Sequence, residues 1–217
     1  MKRKSSLILL KSPLLRLPLY YCYLEEKIAQ QVEYISSATI AESLSINPVQ
    51  VRKDLASVSS VPGRPKIGFP VAQLYNDMKS YLGYDSFDEA VLIGVGNLGR
   101  VLMQYNGFAN YGLEIIAGFD KNPTAKKIAG KAVMPIEKVE PFLKRLRIKI
   151  GILAVPAAAA QEMADLLISN GVTAIWNFAP TTLNLPPNIL VKNENLAASL
   201  AALTAELRRR EMNSEDK

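Results

Sequence analysis

Gly94-Val95-Gly96-Asn97-Leu98-Gly99 is the stretch whose reading decides the fold. It follows an apolar run, Ala90–Ile93, and opens an amphipathic stretch, Leu98–Tyr105, so it reads as a turn from a strand into a helix. Gly94 permits the tight turn, Gly96 lets backbone amides approach a pyrophosphate, and Gly99 lets the helix pack closely on the strand. An anion would then sit at the helix N-terminus, where free N–H groups and the helix dipole favour it. Val95, Asn97 and Leu98 belong to the same loop and first turn and count among the candidate contacts. The plain alternative is a glycine turn that binds nothing. Asp120 argues against it, because it closes the second apolar run, Leu113–Phe119, 21 residues after Gly99. There an acidic side chain accepts hydrogen bonds from an adenosine ribose and repels a 2′-phosphate, which favours NAD(H) over NADP(H). Lys121 beside it softens that preference.

Towards the C-terminus, apolar runs and helical patterns alternate. Val139–Leu146 reads as a helix, Ile150–Val155 as a strand, Ala157–Asn170 as an Ala-rich helix, and Ala174–Trp176 and Ile189–Val191 as strands. Alternation of this kind implies an α/β fold, a Rossmann doubly wound parallel sheet covered on both faces. Val155-Pro156 and Asn177-Phe178-Ala179-Pro180 each end a strand, on the sheet edge where such folds bind ligands, and either loop is placed to line a nicotinamide pocket. A last helix is expected from Leu196 to Arg210.

Upstream of the glycine loop the periodicity is helical. Leu17, Tyr20, Tyr21, Leu24 and Ile28 mark a first helix over Pro13–Gln31, with Pro18 near its start. Ile40, Ala41 and Leu44 mark a second from Ser37, closed by a tight turn at Ser45-Ile46. The third has a clear start signal: Asn47 as N-cap, Pro48 at the first helical position, and Gln50 where it can complete a capping box. Val51, Leu55 and Val58 form its buried stripe, leaving Arg52 and Lys53 on the exposed face. Gln50 lies at the end of the helix that meets base edges in a helix-turn-helix; Gln can read adenine, and Arg or Lys can grip phosphate or guanine. The Pro/Gly-rich stretch Val61–Pro70 suits a small two-stranded wing carrying Arg64 and Lys66. The alternative is a solvated basic face on an ordinary helical bundle. A further helix over Val71–Leu82 leads to a domain boundary at Gly83-Tyr84-Asp85-Ser86. The expected division is residues 1–85, 86–194 and a C-terminal segment 195–217.

Composition narrows the chemistry. The chain of 217 residues is 49% hydrophobic and 21% charged, ordinary for a soluble protein. It has no histidine and one cysteine, Cys22, so no disulfide framework, zinc site or histidine base is expected. Tyr75 and Lys79 have the Tyr-xxx-Lys spacing of some dehydrogenases, but they precede the glycine loop, and packing for Tyr75 and solvation for Lys79 is the better reading. No catalytic residue and no metal is expected. The formal charge is +6, and residues 1–85 carry eleven Lys+Arg against seven Asp+Glu, a net +4, which leans towards an anionic partner. The start, Met1–Lys4 followed by Leu7–Leu10, is cut short by Lys11 and Pro13 and does not read as a signal peptide. With no stretch of roughly 18 apolar residues, no membrane is expected and the cytoplasm is the expected location.

Several stretches together resemble the Rex family of bacterial redox-sensing repressors: Arg16-Leu17-Pro18-Leu19-Tyr20-Tyr21, Gln50-Val51-Arg52-Lys53-Asp54-Leu55, the glycine loop with Arg100, Tyr105-Asn106-Gly107-Phe108, Phe119-Asp120, Val155-Pro156 with Ala160-Gln161, and Asn177-Phe178-Ala179-Pro180. The likeness spans about Pro13 to Leu203. It implies a homodimer, each chain with an N-terminal winged helix-turn-helix, a Rossmann domain for NAD(H), and a domain-swapped C-terminal dimerisation helix. It implies binding to inverted-repeat operators in double-stranded DNA, released when NADH outcompetes NAD⁺, by a population shift to a closed dimer whose recognition helices no longer match successive major grooves. It also implies that Tyr105 sits near the nicotinamide.

The sequence departs from the family at three places. The wing reads Ser57-Val58-Ser59-Ser60-Val61-Pro62-Gly63-Arg64-Pro65-Lys66, where the family has a Gly/Phe/Arg-rich wing. Cys22 stands where the resemblance implies an arginine, and Asn195 about where it implies an aspartate; those charges, with the tyrosine, form the family's redox-linked ionic switch. A Cys and an Asn cannot make that ion pair, so altered or lost switching is one alternative reading. A small NAD-dependent oxidoreductase, and a DNA-binding or dimerising scaffold with a structural nucleotide, are the others.

Overall fold

The computed structural model describes residues 12–86 and 88–215; the run Met1–Leu10, and with it the signal-peptide reading, lies outside the described residues. The chain divides into two compact units after Ser86.

The first unit is helical. Helix α1 spans Pro13–Ala29 with Pro13, not Pro18, at its start, so Pro18 lies inside the helix. Its ring leaves the Leu14 carbonyl without a helical partner, but Leu14 is exposed, where water can serve that oxygen. Helix α2 spans Ser37–Leu44; the Ser36 hydroxyl caps it by accepting from the Thr39 N–H, and Ser45 at φ 55° closes it. Helix α3 is Pro48–Val58 and α4 is Val71–Tyr81. Leu17, Tyr20, Leu24, Ile40, Val51, Leu55, Leu74 and Met78 form the buried core. Ile28, expected in the first stripe, is exposed, because the last turn of α1 runs past that core. Val58 is only half-buried.

The wing forms, but not within Val61–Pro70 alone. Strand β1 (Tyr34–Ile35), before α2, pairs antiparallel with β2 (Phe69–Pro70). Inside the segment Arg64 and Gly68 exchange backbone hydrogen bonds at 2.8 Å each, and the Ile67 N–H donates to the Arg64 carbonyl at 3.2 Å. Pro62 and Pro65 have no N–H, so the ladder cannot extend along it.

The second unit is a seven-stranded sheet: β3 (Asp88–Ile93), β4 (Leu113–Asp120), β5 (Lys127–Ile128), β6 (Lys131–Pro135), β7 (Ile150–Leu153), β8 (Ala174–Asn177) and β9 (Leu190–Asn193). Its order is β5-β6-β4-β3-β7-β8-β9, parallel throughout except for the β5–β6 hairpin. Without β5 this is the Rossmann order 3-2-1-4-5-6. Helix α5 (Asn97–Gln104) follows β3, α6 (Val139–Leu146) precedes β7, α7 (Ala157–Ser169) precedes β8, and α8 (Leu196–Glu215) ends the described chain. Strand residues alternate between two cores: Val91, Ile93, Ala117 and Phe119 pack with α6 and α7, while Ala90, Leu92 and Ile115 pack with Leu102 and Met103 of α5. The order reverses between β3 and β7, and the crevice at their C-terminal ends is where such sheets place ligands. Among the described residues no helix is long and apolar enough to cross a membrane.

Candidate functional sites

The glycine loop sits at that crevice. Gly94 has φ +92°, and a Cβ there would lie 2.5 Å from the Ala154 carbonyl oxygen, so both the turn and the neighbouring β7 loop demand glycine. A Cβ on Gly99 would overlap the Gly94 carbonyl oxygen, so α5 can lie this close only as glycine. At Gly96, by contrast, nothing lies within 4 Å of the Cβ position. Gly96 is also the N-cap of α5 and offers no side chain to its first N–H groups. An open space in front of uncapped amides fits a dinucleotide's pyrophosphate. Val95 is buried, while Asn97 and Leu98 are exposed on the first turn.

Asp120 ends β4 beside this loop, and its carboxylate has work that sequence reading did not assign. Oδ2 accepts from the Val95 N–H at 2.7 Å and Oδ1 from the Asn122 N–H at 2.9 Å. Asp120 therefore shapes the loop, and each oxygen keeps acceptor capacity for a ribose hydroxyl. Lys121 is exposed next to it. The Arg100 guanidinium on α5 donates to the Thr124 hydroxyl, tying the helix to the loop after β4.

The other expected contacts behave differently. β7 ends at Leu153, so Val155 and exposed Pro156 lie in the following loop, two residues earlier than the strand expected over Ile150–Val155 would end. Val155 packs on the glycine loop, its Cγ1 2.8 Å from where a Gly94 Cβ would be. Asn177 is fully buried, and its amide is committed to the protein: it donates to the Thr181 carbonyl and Asn193 Oδ1 and accepts from the Ala179 N–H. Its side chain anchors the loop after β8 and leaves only backbone for a ligand. Tyr105 caps α5, is 55% exposed, and meets the Phe108 ring edge-on at 4.9 Å. Phe108 meets Trp176, and Trp176 meets Phe178, so an aromatic run that sequence reading missed joins the end of α5 to the end of β8.

In the first unit, Arg52, Arg64 and Lys66 line one open groove of about 670 Å³ with Ser36, Ser37 and Ala56, between α3, the start of α2 and the wing. Lys53 is exposed on α3 outside the residues that line this groove. Arg64 lies over the Tyr34 ring, 5.7 Å from its centroid, and Lys66 holds φ 65° at the wing tip. Asn47 caps α3 as expected, accepting from the Val49 N–H at 2.9 Å. The capping box does not form: Gln50 turns along the helix and donates from Nε2 to Asp54 Oδ1 at 2.8 Å.

Asp54 was not a sequence candidate, yet it holds α3 in place. It is 2% exposed and takes a two-pronged contact from Arg16 of α1, Nε to Oδ2 at 2.7 Å and Nη2 to Oδ1 at 2.9 Å. The Tyr20 hydroxyl donates to Oδ2 at 2.9 Å. Burial pushes the Asp54 carboxyl up, but the bonds from Arg16, Gln50 and Tyr20 outweigh it and hold the group below the usual carboxylate range. Its partners shift as expected: the hydrogen bond to Asp54 raises Arg16, and burial followed by the Asp54 contact raises Tyr20. Asp77 of α4 does a similar service for the wing, accepting from the Ser60 N–H at 2.7 Å. Tyr75 packs as expected, stacked on Tyr21 at 4.4 Å; Lys79 is not simply solvated but pairs with Asp85 at 3.3 Å.

Comparisons with known proteins cover both units. The sequence profile described as "CoA binding domain" matches residues 86–181, and that described as "Putative DNA-binding protein N-terminus" matches residues 11–56. The redox-sensing transcriptional repressor Rex of Treponema denticola is 38% identical over 190 residues, 87% of this chain and 90% of that protein. The chain belongs to the Rex family. A Rex of Porphyromonas gingivalis is 40% identical over 205 residues, 92% of this chain and 94% of its own length. Among solved structures, RSP in complex with β-NAD⁺ and operator DNA superposes with TM-score 0.84 at 35% identity, covering 99% of this chain and 97% of that one. RSP is itself a Rex-family repressor. Cys22 is half-buried on α1, and Asn195 caps α8, its Oδ1 accepting from the Ala198 N–H at 2.8 Å.

Proposed function

We propose that this chain is a DNA-binding transcriptional repressor that senses the NADH/NAD⁺ ratio, NADH favouring release from an inverted-repeat operator. The observation that carries the reading is that the Rex likeness runs through both units, 38–40% identity over some 87–92% of the chain, and is not confined to the widespread Rossmann fold. Residues 1–85 are assigned to DNA, 86–194 to NAD(H), and 195–217 to dimerisation. The backbone of Gly94–Gly99 and the start of α5 hold the pyrophosphate, with Asp120 on the ribose and Lys121 flanking it. Val155, Pro156 and the Asn177 backbone line the nicotinamide end, with Tyr105 beside them. Bound NAD(H) supplies a ring that is cationic when oxidised and neutral when reduced. On the DNA side α3 enters the major groove, with Asn47 and Gln50 at its leading end, while Arg52, Lys53, Arg64 and Lys66 contact backbone or groove edges.

Two exposed apolar surfaces support a homodimer with an exchanged helix. Leu196, Leu200, Leu203 and Leu207 of α8 are all exposed at alternating spacings of four and three, a seam suited to a partner. In the sheet, Ile150, Ala174 and Leu190 form one register row beyond β3, and Leu190 is 73% exposed. A cytoplasmic location and a non-enzymatic role fit relatives that are repressors; substrate-dependent turnover of NADH by the purified protein would favour an oxidoreductase instead.

The test is fluorescence anisotropy of a labelled inverted-repeat duplex at fixed salt, titrated with protein alone, with NAD⁺ or with NADH. Binding that NADH reverses and NAD⁺ does not is expected; binding indifferent to both nucleotides would leave only a DNA-binding scaffold. A second reading, altered switching, draws on Asn195, which caps α8 as a neutral side chain. Restoring charge by Cys22→Arg with Asn195→Asp should then lower the NADH concentration needed for release. An unchanged release curve in the double variant would count against it.

A further inference from the structure

The Gln50 side chain, on the first turn of α3, is held by a neighbour. Gln50 donates from Nε2 to Asp54 Oδ1, and among the described residues Asp54 takes four donors: Arg16 twice, Tyr20 and Gln50. A carboxylate offers about four lone-pair sites, so Asp54 is saturated. It accepts only, which fixes which end of the Gln50 amide faces it: the nitrogen, not the oxygen. One Nε2 proton is thus spent, and the amide plane is set. When Asp54 takes the Nε2 proton trans to Oε1, what remains on Gln50 is Oε1 with the cis proton, a donor beside an acceptor. That pair matches N7 and N6–H₂ of adenine in the major groove. Arg16 and Asp54 are 4% and 2% exposed, so this scaffold is buried and cannot itself touch DNA.

The geometry points to Gln50 as the residue that discriminates an A·T pair in each operator half-site, with Asp54, Arg16 and Tyr20 acting through it as positioning residues. This rests on the repressor reading above. A glutamine free to sample its rotamers loses side-chain entropy when it docks on a base. One already pinned at its nitrogen loses less, and offers adenine the better fit at the expense of other bases. The same contact excludes a capping box, so the chain gives up reciprocal capping of α3 and keeps a fixed amide.

The test uses full-length protein. Duplexes are first selected from a randomised inverted-repeat pool by the wild type, then every base pair of one half-site is exchanged in turn, symmetrically in both halves. Anisotropy at fixed salt gives a base-preference profile for wild type, Gln50→Ala, Tyr20→Phe and Asp54→Asn, with thermal melts to confirm folding. Wild type should lose about 5- to 150-fold at one A·T position. Gln50→Ala should flatten the profile at that position alone. Tyr20→Phe, which removes one of four bonds without breaking the ion pair, should weaken the preference there while leaving melting close to wild type; Asp54→Asn should act at the same position if it folds. A Gln50→Ala profile unchanged in shape, with affinity lowered equally for every duplex, would overturn the proposal and leave the repressor reading intact. A wild type that selects no sequence at all would overturn both.

Discussion

In the first unit helix α3, which we propose meets DNA, is fixed by side chains, a buried ion pair to α1 with a tyrosine and a glutamine hydrogen-bonded to the same carboxylate. In the second unit the glycine loop is fixed by backbone: a positive φ at Gly94, van der Waals closeness at Gly99, and the Asp120 carboxylate closing on the Val95 N–H. The difference suits what each loop has to meet. A pyrophosphate is bound by amides, so the loop must bring backbone forward and keep side chains out of the way. A base edge is read by side chains, so the helix must hold them in a set pose.

The comparison can be broken from the side-chain end first. Asp54→Ala leaves the Arg16 guanidinium buried without its carboxylate and should destabilise the first unit by about 3–5 kcal/mol. Denaturant unfolding followed by circular dichroism should show that unit melting early, while NADH binding by the second unit survives. The network also has a pH signature. Asp54 lies below the usual carboxylate range when folded, so its contribution is fully present above its unfolded value of about 3.9 and is lost as pH falls through the lower folded value. Urea midpoints of the first unit should therefore hold steady from pH 7 towards about 5 and fall below about 4. A first unit equally stable at pH 3 and pH 7 would remove Asp54 from the account.

The backbone end is tested by Gly94→Ala. The substitution meets both a left-handed φ and the Ala154 carbonyl, and such strain costs about 1–3 kcal/mol. The NADH dissociation constant should rise about 5- to 150-fold on that scale, with DNA binding in the absence of nucleotide retained. The smallest effect is at the groove. Arg52→Ala should weaken binding to all duplexes alike and reduce the salt slope by about one. A selective loss at one base pair would make Arg52 a reader and not a phosphate contact.

What could be read in the sequence follows the same division. The glycine loop was legible because a backbone requirement is written in the residue type itself. The strands β3, β4, β7 and β8 were legible because parallel strands covered on both faces leave short apolar runs. Arg16 and Asp54 were not, since they lie 38 residues apart and each alone looks like a surface charge. Gln50 misled for a related reason: its spacing from Asn47 fits a capping box, but a buried carboxylate one turn on outcompetes the local backbone N–H. The β5–β6 hairpin, Lys-rich and very short, carries little apolar pattern. Pro18 suited a first helical turn in isolation, and the true start at Pro13 shows that two prolines in one helix compete for that role. Asn177 was correctly placed at a strand end, but its amide proved to hold the protein's own loop.

The central claim is that nucleotide and DNA compete through one chain, and Trp176, the only tryptophan, allows both to be watched at once. NADH would be titrated into the protein bound to a labelled selected duplex, following energy transfer from Trp176 to NADH and DNA anisotropy in the same cuvette. Because coupling is reciprocal, DNA should raise the apparent NADH dissociation constant by the factor by which NADH weakens DNA binding. The account predicts that the two signals move together over one concentration range. NADH binding that saturates while the anisotropy stays flat would contradict it.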